Sequence, residues 1–425
     1  MSNVDTTALA AARDTATSRY EEFKASGQKL DITRGKPCAD QLDLSEDMLA
    51  SLAPGDHSTD AEGDLRNYGG APQGVKALRE MFAPLVDVPA DQLVARDNSS
   101  LALMHFCVAS SFFQTLPGGD APWAGQQVTF LAPSPGYDRH FAVCDELGVG
   151  LTTVAMTDEG PDMDEVEALV ANDAGIKGIW CVPKYSNPTG VTFSEEVVRR
   201  LAAMPTAASD FRIYWDNAYA IHHLGTRGDE QDTLPDLLAA CAQAGNPDRA
   251  FVFASTSKVT FAGGGVSFFG GSPDNVAWFL KRDGLRSIGP DKLNQLRHVR
   301  FFGDTAGIEE HMRKHAEILA PKFEAVGKAL QADLGGLGIA EWSDPQGGYF
   351  VNLDVVPGTA KRVVQLAKEA GVALTPAGAT FPGGNDPDDR NIRIAPSFPT
   401  TDELTRALDV LTTCVVLAAA EKLLD

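Results

Sequence analysis

Basic residues are scarce in this chain. Lys and Arg total 36 of 425 residues against 58 Asp and Glu, a formal net charge of −22, so the long-range field repels nucleic acid and anionic membrane surfaces. Any anion must be gripped by local donors. Cysteine is sparse too: Cys38, Cys107, Cys144, Cys181, Cys241 and Cys414 are scattered, with no C-x-x-C pair. That scatter argues against a disulfide frame or a zinc site and for reduced, buried thiols, so no metal is expected. No run of ~18 apolar residues is present to span a bilayer. The opening stretch MSNVDTTALAAARDTATSRYEEF lacks the basic and apolar regions of a secretory leader, and a cytoplasmic location is the expectation. No G-x-G-x-x-G sits between a strand and a helix with an acid at dinucleotide spacing. Internal repeats and low-complexity tracts are also missing.

What is present is an ordinary globular composition, 44% hydrophobic, with 40 glycines and 25 prolines to supply turns. At ~100–200 residues per domain the length suggests two domains. A polar helix is expected from about Thr6 to Lys29, ended by the Gly and Pro of DITRGKP. From about residue 70 to 300, helical stretches alternate with the β-rich runs QQVTFLA, GLTTVAM, IKGIWCVP, FRIYWD, AFVFAS and GVSFFGG. The fold class expected is therefore α/β, a large domain over 46–310 with a mostly parallel, seven-stranded-type sheet flanked by helices. Beyond 310 come a long helix, GGYFVNLD, GVALTPAG, NIRIAPS and a last helix opened by the T-x-x-E capping box Thr400–Glu403. This reads as a smaller α+β domain formed by 1–45 and 311–425.

Several strands run directly into polar or Gly/Pro-rich loops, and in an open α/β sheet ligands bind beyond the carboxyl ends of the strands. VTFLA leads into PSPGYDRH, GIWCVP into KYSNPTG, IYWD into NAYA, and FVFA into STSK. Lys258 closes Ser255-Thr256-Ser257-Lys258, where hydroxyls and backbone N–H groups can meet a phosphate beside an amine; alone, the pattern also describes a surface lysine after a turn. Asp216 ends a buried strand, so its carboxylate needs a cationic partner; a helix N-cap is the plainer alternative. Tyr219, three residues on, can share its face. Asn187 lies in Asn187-Pro188-Thr189-Gly190, by itself simply a good turn. Arg393, in Asn391-Ile392-Arg393-Ile394, points away from its apolar neighbours and can grip a carboxylate, with an ion pair to Asp388 or Asp389 as the competing use.

The chain order Asn187, Asp216, Tyr219, Lys258 resembles that of fold-type I aminotransferases, which use pyridoxal phosphate. The likeness is greatest to the aspartate aminotransferase subgroup with an I-T-R-G-K-P motif, here Ile32 to Pro37, and runs from about Asp31 to Pro399. The resemblance implies Lys258 as the lysine that bonds the cofactor aldehyde, Asp216 as partner of the ring nitrogen, and Asn187 and Tyr219 on the ring oxygen. It makes Tyr137 the stacking aromatic, with His140 supporting Asp216 from behind. Ser99 and Ser100 join Ser255 and Ser257 around the phosphate, and Tyr68 reaches the phosphate of a neighbouring subunit in a homodimer. Arg393 takes the substrate α-carboxylate, with Gly35 approaching the substrate by its backbone.

One departure stands out. Many relatives carry a phosphate-binding arginine eight positions after the lysine, whereas this chain has Gly263-Gly264-Gly265-Val266 there; backbone N–H groups of a nest are the expected substitute. The second cation for an acidic substrate is sought among Arg34, Arg139, Lys184 and Arg286. L-Aspartate with 2-oxoglutarate, exchanged by ping-pong kinetics, is the expected substrate pair. An aromatic or broad-specificity aminotransferase, a β-lyase on the same fold, and a non-catalytic regulatory module that binds the cofactor are the alternatives. The last is opposed by the lack of room for a DNA-binding domain before Arg34.

Overall fold

The computed structural model describes residues 4–225, 228 and 231–425. Helix α1 (Thr6–Ser26) starts where the Asp5 carboxylate accepts the Thr7 and Ala8 N–H groups, and stops at Gly27, whose φ of 65° only glycine adopts readily. A short helix, α2 (Ala39–Asp43), follows the DITRGKP segment. The large sheet then begins with β1 (Leu93–Arg96), which leads into helix α3 (Ser100–Phe113). Next come β2 (Thr129–Ser134), helix α4 (Asp138–Leu147), β3 (Gly150–Thr157), the two-residue β4 (Gly160–Pro161), β5 (Ile176–Cys181), β6 (Arg212–Asp216), β7 (Ala250–Ser255) and β8 (Ser267–Gly270).

The sheet has eight strands in the order β1-β8-β7-β6-β5-β2-β3-β4. The pairs from β7 through β3 are parallel, while β8 runs antiparallel to both β7 and β1 and β4 antiparallel to β3. The six expected runs all form strands. The expected seven-strand type becomes eight with the β4 stub, and β1, which the run-by-run reading passed over, supplies one edge. Strands β5, β6 and β7 are buried almost throughout, as sheets covered on both faces require. Alternate residues serve opposite cores: Leu131, Ile213, Trp215 and Val252 face one apolar layer, Phe130, Tyr214, Phe251 and Phe253 the other.

After β8 the chain runs through helices α5 (Pro273–Arg286), α6 (Lys292–Phe302) and α7 (Thr305–Leu334). A three-stranded antiparallel sheet, β9 (Ala340–Trp342), β10 (Val351–Val355) and β11 (Asn391–Ile394), lies beside the final helix α8 (Thr401–Leu423). The capping box forms as expected: Thr400 Oγ1 accepts the Glu403 N–H and the Glu403 carboxylate accepts the Thr400 N–H. A separate apolar cluster joins Leu9, Tyr20 and Ile32 of the N-terminal segment to residues from Phe323 to Ala420. Among the described residues no helix is long and apolar enough to cross a membrane, and all six cysteines are free and buried.

Candidate active site

The register brings the tips of β1 and β7 level, because Ser267 of β8 pairs with Ser255 on one side and Arg96 on the other. Beyond them, Ser255 Oγ donates to Ser257 Oγ (3.1 Å) and Ser257 Oγ to the Asn98 carbonyl (3.1 Å), tying the turn that carries Lys258 to the start of α3. That turn is locked from behind: the Thr256 N–H bonds the Val266 carbonyl and the Val266 N–H bonds Thr256 Oγ1, both at 2.8 Å. Ser99, the N-cap of α3, has an extended backbone but makes no side-chain cap bond. The first turn of α3 therefore offers its N–H groups, at the positive end of the helix dipole, to an anion.

At the tip of β6, Asp216 follows Tyr214 by two residues and emerges on the same face of the sheet. Its Oδ2 lies 2.9 Å from His140 Nε2, and the imidazole stacks on Trp180 with ring centres 4.4 Å apart. Asp216 Oδ1 is buried with no hydrogen-bond partner among the described residues. Tyr219 follows in the next turn, and the Lys258 ammonium sits 4.6 Å from its ring centre. Burial, then the Asp216 charge, pushes the Tyr219 phenol up, so it is a neutral donor. Burial likewise pushes Tyr137 up to about 12, against a lowering pull from Lys258.

A cavity of about 140 Å³ is walled by the three serines that carry these loops' hydroxyls and backbone, Ser99, Ser255 and Ser257, together with Ser100, Tyr137, Asn187, Asp216, Tyr219 and Lys258. Hollows of about 480 and 580 Å³ open elsewhere, but neither touches Lys258 or Asp216. The turn of Asn187 needs its glycine: Gly190 has φ +77°, and a Cβ there would fall 2.6 Å from Pro345 Cβ.

Arg393 projects from β11 between buried Ile392 and Ile394. The rival ion pair with Asp388 or Asp389 does not form; Nη1 meets Asp138 Oδ1 at 3.1 Å and Asn187 Oδ1 at 3.2 Å. The reason is strand geometry, which sends the guanidinium toward the start of α4. There it lies 4.8 Å from the centre of the Phe350 ring, with Nε buried and unpaired. Gly35 packs on the same ring, and a Cβ there would sit 2.4 Å from Phe350 Cζ. Only glycine lets the N-terminal segment come so near the ring that Arg393 also faces.

Two of the candidate second cations are committed elsewhere. Arg286 binds Asp97 at 2.8 Å and Asp283 at 2.6 Å. Lys184 is buried, donates to the Ala220 carbonyl at 3.0 Å, and is pushed down to about 8 by burial. Arg34 and Arg139 are exposed, and neither forms an ion pair among the described residues. Tyr68, 82% exposed, lies away from the Lys258 cavity, on the wall of the hollow it shares with Ser287–Leu293. Sequence reasoning missed Trp180, which backs His140, and Tyr349, whose ring centre is 5.8 Å from the Lys258 ammonium. Trp180 was recoverable from alternation along IKGIWC; nothing local marks Tyr349.

Fold and site together define an aminotransferase. A profile of the aspartate amino-transferase family matches residues 4–425, and the chain belongs to that family. It is 48% identical over 404 residues to an aspartate aminotransferase of Corynebacterium glutamicum, covering 95% of this chain and 92% of that one. A crystal structure of an aspartate transaminase from the same organism superimposes with a TM-score of 0.94 at 46% identity, over 98% of both chains. The fold extends to the α-aminoadipate aminotransferase of Thermus thermophilus, solved with N-(5'-phosphopyridoxyl)-L-leucine: TM-score 0.73, 20% identity, 92% of this chain and 93% of that one.

Proposed function

We propose that this chain is a pyridoxal-phosphate-dependent aminotransferase of the I-T-R-G-K-P subgroup that moves an amino group between L-aspartate and 2-oxoglutarate. The observation that carries the cofactor is Asp216: one oxygen is held by His140, the other is buried and bare. An unpaired buried acceptor costs ~1–3 kcal/mol, more when charged, and a protonated pyridine nitrogen is the cation that relieves it. The rest of the donor set agrees. The uncapped start of α3 with Ser99, Ser100, Ser255 and Ser257 suits a phosphate, the Tyr219 hydroxyl and the Asn187 amide suit a ring oxygen, and Tyr137 suits the ring face.

Pyridoxal phosphate supplies an aldehyde that amines attack and a ring that accepts an electron pair. Asp216 would keep that ring protonated, and His140, stacked on Trp180, holds Asp216 in place. With the cofactor bound, Lys258 Nζ would be the base that takes the proton from the substrate α-carbon; positioned proton transfer contributes ~10²–10⁴-fold. Arg393 receives the α-carboxylate, exchanging its bond to Asp138 for a bidentate one. The preference for aspartate is supported by the relatives, and Arg34 and Arg139, which form no ion pair among the described residues, are the candidates for its second carboxylate. We extend the proposal to a cytoplasmic homodimer in which Tyr68 serves the neighbouring subunit, and to a division into 46–310 and 1–45 with 311–425. An amino-donor screen against 2-oxoglutarate tests the substrate: aspartate should be the fastest donor, and turnover of an aromatic donor without aspartate turnover would overturn the assignment.

A further inference from the structure

The backbone that carries Lys258 is held by a second group of residues that the mechanism above leaves unused. Tyr349, fully buried, donates its hydroxyl to the Lys258 carbonyl at 3.4 Å. The Tyr349 hydroxyl oxygen in turn accepts from Gln41 Nε2 at 3.0 Å. Gln41, also fully buried, spends its other amide hydrogen on His315 Nδ1 (2.9 Å) and its carbonyl on the Cys38 N–H (3.1 Å). The His315 and His311 Nε2 atoms lie 3.1 Å apart, and His311 Nε2 lies 2.8 Å from the Val259 carbonyl. The carbonyls of Lys258 and of the next residue are thus both gripped by a buried set drawn from α2, α7 and the GGYF segment.

Gln41 stands six residues after Gly35 on the same N-terminal segment. Gly35 packs on Phe350, the ring that also faces Arg393, and Phe350 is the neighbour of Tyr349. Two adjacent aromatics therefore link this segment to both working ends of the site, Tyr349 to the lysine and Phe350 to the carboxylate-binding arginine. The satisfied, solvent-free bonds of Gln41 leave it little freedom to move independently of Tyr349.

We infer that Gln41 is a positioning residue, which through the Tyr349 hydroxyl fixes the Lys258 turn and joins its placement to that of the Arg34–Lys36 segment beside Arg393. This rests on the cofactor reading proposed above. The titratable groups around the Tyr349 hydroxyl are Lys258, Tyr219, His222, His315 and Cys38.

The test uses full-length protein loaded with pyridoxal phosphate, as wild type, Gln41→Leu, Tyr349→Phe and the double variant. Tyr349→Phe removes a single oxygen and keeps the packing, so it serves if Gln41→Leu does not fold. Each single variant should lower kcat about tenfold with little change in KM, since small misplacements of a reacting group are costly. The pH midpoint of the cofactor's visible band should move by about half a unit, a change in the surroundings of Nζ that a loss of stability alone does not produce. The double variant should be no worse than either single one, because both break one path. A wild-type band with kcat and midpoint unchanged in the variants, or effects that simply add, would overturn the inference alone. A wild type with no visible band would overturn the cofactor reading and this inference with it.

Discussion

Two aspartates flank the same strand, and they live very differently. Asp210, just before β6, is buried with both oxygens used: Lys177 Nζ on one and Trp123 Nε1 on the other, each at 2.8 Å. Asp216, at the far tip, is equally buried, yet one of its oxygens has no hydrogen-bond partner among the described residues. Nearby at the amino-terminal edge, Arg249 Nη1 is likewise consumed by carbonyls, those of Ala202 at 2.9 Å and Met204 at 2.7 Å. Burial alone therefore does not mark a functional acid. What marks it is hydrogen-bonding capacity left over inside the protein, beside a cavity and at the carboxyl end of a parallel strand.

The sharpest way to break this comparison is to neutralise each acid in turn. Asp216→Asn should lower kcat by ~10²–10³-fold, the usual result of removing one preorganised charge from a transition state, while the melting temperature stays close to wild type. Asp210→Asn should do the reverse. It strands the Lys177 ammonium in the core, an uncompensated charge worth ~3–5 kcal/mol, so denaturant melts should shift strongly and kcat of the remaining folded protein should hold. If both variants lost activity in proportion to stability, the distinction would fail.

Arg393→Lys probes the substrate side. Losing the planar, two-pronged donor should reduce kcat/KM for aspartate by roughly 10–100-fold, mainly through KM, because the cofactor end is untouched; an effect confined to kcat would argue for a different role. A smaller effect concerns pH. Burial pushes His298 down to about 4 and His315 to about 3. Unfolded histidine, near ~6.5, takes up protons first as the pH falls. Stability contributed by the neutral rings is thus complete above that value and is lost on acidification toward their folded values. Thermal melts at pH 7 and pH 5 should show the drop, and His298→Asn should shrink it. Smallest of all, Thr400→Ala should cost about 1 kcal/mol through the lost cap of α8, read from denaturant midpoints, with no change in kcat.

The same contrast explains what could be read from the chain before its structure. That Asp216, Lys258 and Asn187 would meet at one cavity was legible because each stands at or just beyond the end of an apolar run, a local signal of a strand tip. The six β-rich runs were legible for the same reason. Strand β1 was not: its apolar run is only Leu93–Ala95, and it ends in Arg96, whose charge partner Asp283, at 2.7 Å, comes from a helix far along the chain. Arg286 looked like a free cation, but Asp97, 189 residues away, claims it. Gln41 and Tyr349 lie 308 residues apart, and no periodicity connects them. Patterns of apolarity reveal where a strand ends, whereas the partners of buried polar groups come from the whole fold.

The most direct measurement is the visible absorbance of purified protein titrated with pyridoxal phosphate, before and after borohydride, for wild type and Lys258→Ala. The account predicts one reducible, coloured adduct per wild-type chain and its loss in the alanine variant, with the folded state retained. An undiminished reducible adduct in Lys258→Ala would contradict it.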